Sequence, residues 1–379
     1  MRILFIQSRS HPFIGGYESH CFQSAMRLVK MGHSVDILTT DSLTLNVPKE
    51  EIIEGVKIIR KHAWFCIPGT RLPIAPSIYF HSMDGYDIVE SFGCIPLVSD
   101  IMFWIAKKRG KRAILSHLFD PIGGDLLFKT RVCILYKHLL FNRCVKKDDI
   151  ITTLTQDYAD NSMFIGGFKN VNVLTSGVDP RFQCYSPEKK IRLRESKNLG
   201  DRKVILTVGR LDAYKGTKYL IDAMKLIKTE RAVLLIVGKG DKSAALKEQA
   251  KDDPQHIKFI EGLTDKELVE IYNLADVFVF PSVSPQEVFG KVLTEAMTCG
   301  VPIIATDLIG VREVAQDCGF VVPQKDPQAL ADAIDKMLDE NNQYMRGDFI
   351  LNGFRKAAGI YDWDAITKKR LELYGRLKA

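Results

Sequence analysis

The chain has 379 residues, of which 46% are hydrophobic and 26% charged. That balance excludes a disordered or fibrous protein and leaves a globular one long enough for two or three domains. The formal net charge is +7, too small by itself to demand a polyanionic partner. No apolar run reaches the length needed to cross a bilayer, and the apolar start at residues 1–6 stops at Gln7-Ser8-Arg9, too short for a secretory leader. The eight cysteines are scattered without Cys-x-x-Cys or metal-ligand spacing. They read as buried thiols of a reducing, cytoplasmic compartment.

Residues 2–7 and 35–40 read as buried strands, with a helix over 20–31 between them that Gly32 stops. This opening predicts an α/β protein with a doubly wound parallel sheet, in which ligands gather at the carboxyl ends of strands. The first such loop ends in Gly15-Gly16, a pair that lets backbone approach a ligand and that ordinary turns also use. Further strands are expected at 58–64, 87–91, 113–117, 149–154 and 171–174, with a proline-broken loop at 68–76. His117 ends one of them, and the polar loop Asp120-Pro121-Ile122-Gly123-Gly124-Asp125 follows.

Charge is concentrated between residues 101 and 147, where eleven Lys or Arg stand against Asp120 and Asp125. Phe103, Trp104, Leu126, Leu127, Phe128, Leu139, Leu140 and Phe141 are interleaved with them. The pattern fits a surface that rests on anionic lipid headgroups, and fits equally a core flanked by solvated lysines. No nucleic-acid motif accompanies the charge, so nucleic acid is not expected as a partner.

Residues 184–202 form a charged, strand-poor link, after which the pattern restarts with a strand at 203–208. The restart predicts a second α/β domain. Its first loop, Gly209-Arg210-Leu211-Asp212-Ala213-Tyr214-Lys215-Gly216, sets a guanidinium and an ammonium five residues apart at a strand end. A strand at 233–237 ends in Gly238-Lys239-Gly240, which lacks the third glycine and acidic partner of a dinucleotide fingerprint. Residues 275–280 are a β-branched and aromatic strand. A Pro/Ser loop, a helix over 288–298, Gly300 as its cap and a strand from 301 follow. The entrance of that helix offers free N–H groups to a phosphate. Ser284 to Glu287 also fits a capping box, and Lys291 and Glu295 an ordinary surface pair. Asp362-Trp363-Asp364 spells a metal motif but precedes a helix over 365–377, where a cap is the simpler reading, so no metal is expected.

The string Glu287-Val288-Phe289-Gly290-Lys291-Val292-Leu293-Thr294-Glu295-Ala296-Met297 closely resembles the Glu-x7-Glu signature of family-4 retaining glycosyltransferases. Gly15-Gly16, His117, the loop from Arg210 to Lys215, and Phe259-Ile260-Glu261-Gly262-Leu263 match other family segments in the same order. Thr175-Ser176-Gly177-Val178-Asp179 resembles the family's Asn-Gly-Val-Asp, with Ser176 for asparagine. Asp87-Ile88-Val89-Glu90 resembles Asp-x-Val-His, with Glu90 for histidine.

The resemblance implies the GT-B architecture, two Rossmann-like domains facing across a cleft. The first would span 1–182, with the helix 365–379 crossing back to it, and the second 183–364. It implies transfer of a sugar from a UDP- or GDP-linked donor to an acceptor hydroxyl, without cofactor or metal; the basic region 101–147 makes a glycan or lipid-linked acceptor the expectation, with the enzyme cytoplasmic and peripheral on the inner face of the membrane.

Arg210 and Lys215 would meet the diphosphate, Glu287 the donor sugar, Glu295 the ribose and His117 the sugar from the first domain. Gly15, Gly16, Gly209, Gly262, Leu263, Phe289, Gly290, Lys291 and Val292 would line the donor, and Asp120, Gly123 and Gly124 the acceptor. A non-catalytic sugar-nucleotide-binding subunit and a nucleotide-sugar epimerase of the same architecture are the alternatives.

Overall fold

The computed structural model of the chain describes all residues except 13–14, 42–46, 67–72, 94–96, 122–126 and 378–379. It divides into two compact units, Met1–Ser176 with Trp363–Ala379, and Gly177–Asp362. Each is built on its own sheet.

In the first unit the strands are β1 (Arg2–Ile6), β2 (Ser34–Thr40), β3 (Glu50–Ile53), β4 (Val56–Lys61), β7 (Ile88–Phe92), β8 (Arg112–Ser116), β9 (Ile151–Thr153) and β10 (Val171–Val173), with a separate two-stranded ribbon of β5 (Phe65–Cys66) and β6 (Pro73–Ile74). The large sheet runs β10-β9-β8-β7-β1-β2-β4-β3, parallel throughout except that β3 pairs antiparallel with β4. The order reverses between β1 and β7. Strand alternation sends Leu4, Ile6, Leu38 and Val89 to one face, where they pack with Met102 and Ala106 of the helix Ser99–Lys108. On the other face Phe5 and Phe92 lie with ring centroids 4.7 Å apart. That face is covered by the helix Gly16–Lys30 and the C-terminal helix Trp363–Arg376.

The second unit carries β11 (Lys203–Val208), β12 (Ala232–Val237), β13 (Ile257–Ile260), β14 (Val277–Phe280), β15 (Ile303–Thr306) and β16 (Gly319–Val322). Its order, β13-β12-β11-β14-β15-β16, is all parallel and is that of a dinucleotide-type doubly wound sheet. Ile205, Val277, Val279 and Ile304 pack with Leu220, Leu330, Ile334 and Met337 on one face. On the other, Phe278 stacks on Tyr272 of the helix Asp265–Leu274. Burial on both faces explains why β11, β12, β14 and β15 read as unbroken apolar runs.

Three expectations shift. The link at 184–202 contains a helix, Pro187–Ser196, whose Ser186 side chain accepts from the Lys189 amide. The helix expected from 288 starts instead at Lys291, because Gly290 takes a left-handed φ of 71° that an α-helix cannot include. Ser284 therefore closes a local turn, accepting from the Gln286 amide at 3.3 Å, and the capping-box reading is not realised.

Candidate functional site

In the second unit the order reverses between β11 and β14, and the loops that leave these strands pack together. Gly216 caps the helix Thr217–Met224 with a φ of 68°, and a Cβ there would sit 1.9 Å from the Pro281 carbonyl oxygen. Only glycine lets the two loops touch. The Val283 amide donates to the Tyr214 carbonyl at 2.8 Å across the same seam. Gly238 and Gly240 are explained alike, since a Cβ on either would strike the backbone of Gly209 or Leu211. That Gly-x-Gly is a loop-packing device.

Gly209, Arg210, Lys215, Thr217, Pro281 and Ser282 line a pocket at this point. Lys215 Nζ lies 2.5 Å from Glu287 Oε1, with both side chains under one-fifth exposed. It also lies 5.3 Å from the ring centre of Tyr214 and 5.4 Å from that of Phe280. Arg210 is half exposed, bonded to Asp212 at 3.1 Å and donating to the Tyr214 hydroxyl at 2.7 Å. Two cations and a carboxylate thus share the mouth of one sheet. An anion entering it would meet Arg210 and Lys215 in a partly desolvated setting, where charge-assisted bonds are strongest.

The helix Lys291–Thr298 begins beside them. Lys291 and Glu295 are not a solvated surface pair. Burial pushes the Lys291 ammonium below its ordinary value and the Glu295 carboxyl above its own. Tyr272 donates from its hydroxyl to Glu295 Oε2 at 2.7 Å. Asp179 holds Arg181 through paired bonds of 3.0 and 2.6 Å; burial would raise its carboxyl, but those bonds hold it low. Arg181 in turn bonds Asp265. Gly262 is exposed with a φ of 71°, and Leu263 leads to the helix that carries Tyr272. Phe289 is a core residue, edge-on to Tyr361 at 5.4 Å, and Val292 is half-buried.

In the first unit Gly15 and Gly16 open the helix Gly16–Lys30, and a Cβ on Gly15 would collide with the Glu18 carboxylate. His117 has no exposed surface. Its ring stacks near Tyr158 and Phe164 at 6.4 and 6.0 Å, and Nε2 bonds Asp120 Oδ1 at 2.9 Å. Asp120 also accepts from the Ser162 hydroxyl at 2.8 Å and the Met163 amide at 2.7 Å. Burial would raise this carboxyl, but the three bonds outweigh it and hold it below the usual range. In this arrangement neither side chain presents an open face to a sugar or an acceptor. Gly123 and Gly124 lie outside the described residues.

Glu90 is also buried, bonded by Arg370 and Tyr374 of the C-terminal helix and by Ser116. Tyr272, Tyr214 and Arg370 were not singled out in the sequence. The only signal for the first two was a tyrosine near a charged motif, and Arg370 had none.

The family description "Glycosyl transferases group 1" matches residues 189–354. A phosphatidyl-myo-inositol mannosyltransferase of Mycobacterium leprae is 35% identical over 386 residues, covering 99% of this chain and 96% of its own. The chain belongs to the group 1 glycosyl transferases. Among solved structures, a sucrose-phosphate synthase from Thermosynechococcus elongatus superposes with a TM-score of 0.78 at 21% identity, covering 99% and 98% of the two chains. Anabaena HepE in complex with UDP gives 0.76 at 19% identity over the whole of both. At such identities these establish the fold, which is the GT-B glycosyltransferase fold with two parallel-sheet domains. Among the described residues of this glycosyltransferase, no helix is long and apolar enough to cross a membrane.

Proposed function

We propose that this glycosyltransferase is a family-4 retaining enzyme that moves a hexose from a UDP- or GDP-linked donor to a hydroxyl of a lipid-linked or membrane-associated glycan, without a metal. The observation that carries the reading is the Lys215–Glu287 pair at the reversal point between β11 and β14, with Arg210 beside it.

Arg210 and Lys215 hold the diphosphate, and the amides at Gly290 and Lys291 add to them. The donor's phosphate displaces Glu287 from Lys215, which frees that carboxylate for sugar hydroxyls. Glu295 takes the ribose, with Gly209, Gly262, Leu263 and Val292 around the nucleotide. His117 and Asp120 hold each other and fix the loop at the end of β8, whose Phe119 meets Tyr17, the residue after Gly15 and Gly16, edge-on at 6.4 Å. The bond from the anomeric carbon to the phosphate breaks as the acceptor oxygen bonds to that carbon on the same face. The departing phosphate takes the acceptor's proton, so no carboxylate nucleophile is required.

The relative's name pairs a mannosyl donor with a phosphatidylinositol acceptor, and the HepE complex contains UDP; both suit this substrate class. A membrane acceptor also accounts for the basic region. Phe103 and Phe141 are core, but Trp104, Val132, Leu135 and Leu139 are exposed, the last three at helical spacing on one face. Arg131, Arg143, Lys146 and Lys147 are exposed around them. The enzyme would work as a peripheral protein of the cytoplasmic face.

Nucleotide release from candidate donors, with and without acceptor lipid and with EDTA, tests the reading. Acceptor-dependent, chelator-resistant release is expected. No turnover of any donor would leave a binding subunit, and acceptor-independent conversion of the donor into its epimeric nucleotide sugar an epimerase. Flotation with anionic vesicles should fall as salt rises.

A further inference from the structure

We infer that Tyr272 positions Glu295 to grip the donor's ribose, an inference that rests on the assignment of Glu295 to that sugar. Tyr272 has no exposed surface. Its ring is clamped edge-on by Phe182 at 5.3 Å and stacked on Phe278 at 5.6 Å. Its helix is fixed at one end by the Thr264–Glu267 capping box. At the other, Asn273 accepts from the Tyr185 amide at 2.8 Å and donates to the Gln183 carbonyl at 3.0 Å. The hydroxyl is the single polar atom of this aromatic cluster, and it points at Glu295 Oε2.

A carboxylate so held has one oxygen committed and one left over. The remaining Oε1 is the acceptor a ribose diol needs, and its direction is set by the phenol behind it. Without that donor the carboxylate rotates or turns to Lys291, one helical turn earlier on its own helix. Tyr272 touches no substrate atom, so it is a positioning residue. Its effect is confined to the ribose.

The experiment measures dissociation constants of uridine and guanosine diphosphates and of their 2′,3′-dideoxy analogues, for wild type, Tyr272→Phe and Glu295→Gln. Phenylalanine keeps the aromatic clamp, so the fold is retained. Wild type should favour the ribonucleotide. Tyr272→Phe should narrow that preference about tenfold while leaving dideoxynucleotide affinity unchanged. Combining it with Glu295→Gln should add nothing. If Tyr272→Phe keeps the wild-type ratio while Glu295→Gln loses it, or weakens both nucleotides equally, Tyr272 only packs and the inference is overturned. If Glu295→Gln keeps the ratio, the ribose assignment itself is wrong and the inference goes with it.

Discussion

Each sheet carries a glutamate on or after the first strand past the reversal of order. In the first unit it is Glu90 on β7; in the second it is Glu287 in the loop after β14. Glu90 is wholly buried and takes bonds from Arg370, Tyr374 and Ser116, the last of which is also 2.7 Å from Thr152 Oγ1. Glu287 has one cation, Lys215, which stands beside an open pocket and a half-exposed arginine. The first carboxylate is wholly buried and held by three donors, so no ligand can reach it. The second is held by a partner that a phosphate can take away. A charge on or after the strand at the reversal point is therefore not a site by virtue of its place; what matters is whether a ligand can reach it.

The sharpest break in this comparison is Arg370→Met. It leaves Glu90 buried and short of its strongest donor, and the expected cost is about 3–5 kcal/mol in urea unfolding. Glu90→Leu with Arg370→Met should recover much of that loss, since a buried pair replaced by apolar side chains is often neutral. If the single variant loses under 1 kcal/mol, the pair does not hold the C-terminal helix to its sheet.

Lys215→Ala is the converse. Transfer should fall by about 10²–10³-fold, the loss typical of removing one fixed donor from a developing oxyanion. Stability should move by no more than about 1 kcal/mol, because Glu287 can turn to water. Steady-state rates and a urea melt on one preparation decide it. Equal losses in activity and stability would place Lys215 with the structural charges.

The same distinction marks what could be read from the residues beforehand. The central strands were legible because both faces of each sheet are covered there, which writes them as continuous Val, Ile and Leu; the part-exposed edge strands β13 and β16 were not. Gly216 was legible as a loop glycine, though not the reason, which is contact with Pro281; Gly290 fell inside the helix expected over 288–298, and its left-handed cap was not legible. Antiparallel β3 was not, since Glu50-Glu51-Ile52-Ile53 has no alternation and owes its pairing to β4. Glu90 stood out only as a departure from a histidine. Its meaning lay in Arg370, 280 residues away, and no local pattern reports a partner at that distance. The roles given to His117 and Asp120 came from position, whereas their burial came from Tyr158, Phe164 and Ser162, well downstream.

His117 and Asp120 supply the smallest and most discriminating test. They stand where a ligand is expected, at the end of β8, yet both are buried, Asp120 is held by three bonds, and only His117 Nδ1 is left without a partner. Because the Asp120 carboxyl is held below its ordinary value by its bonds, the stability it contributes is fully present above the unfolded carboxylate range. It is lost as pH falls from about 4 through the lower folded value. Asp120→Asn keeps an acceptor for Ser162 or Met163 and gives up the charge. The gap between wild type and variant should be about 1–2 kcal/mol at pH 7 and should close below about pH 4. Urea melts at pH 7, 5, 4 and 3 would trace it. A gap that does not change with pH would mean that the charge is not engaged, and Asp120 would then be free for the acceptor after all.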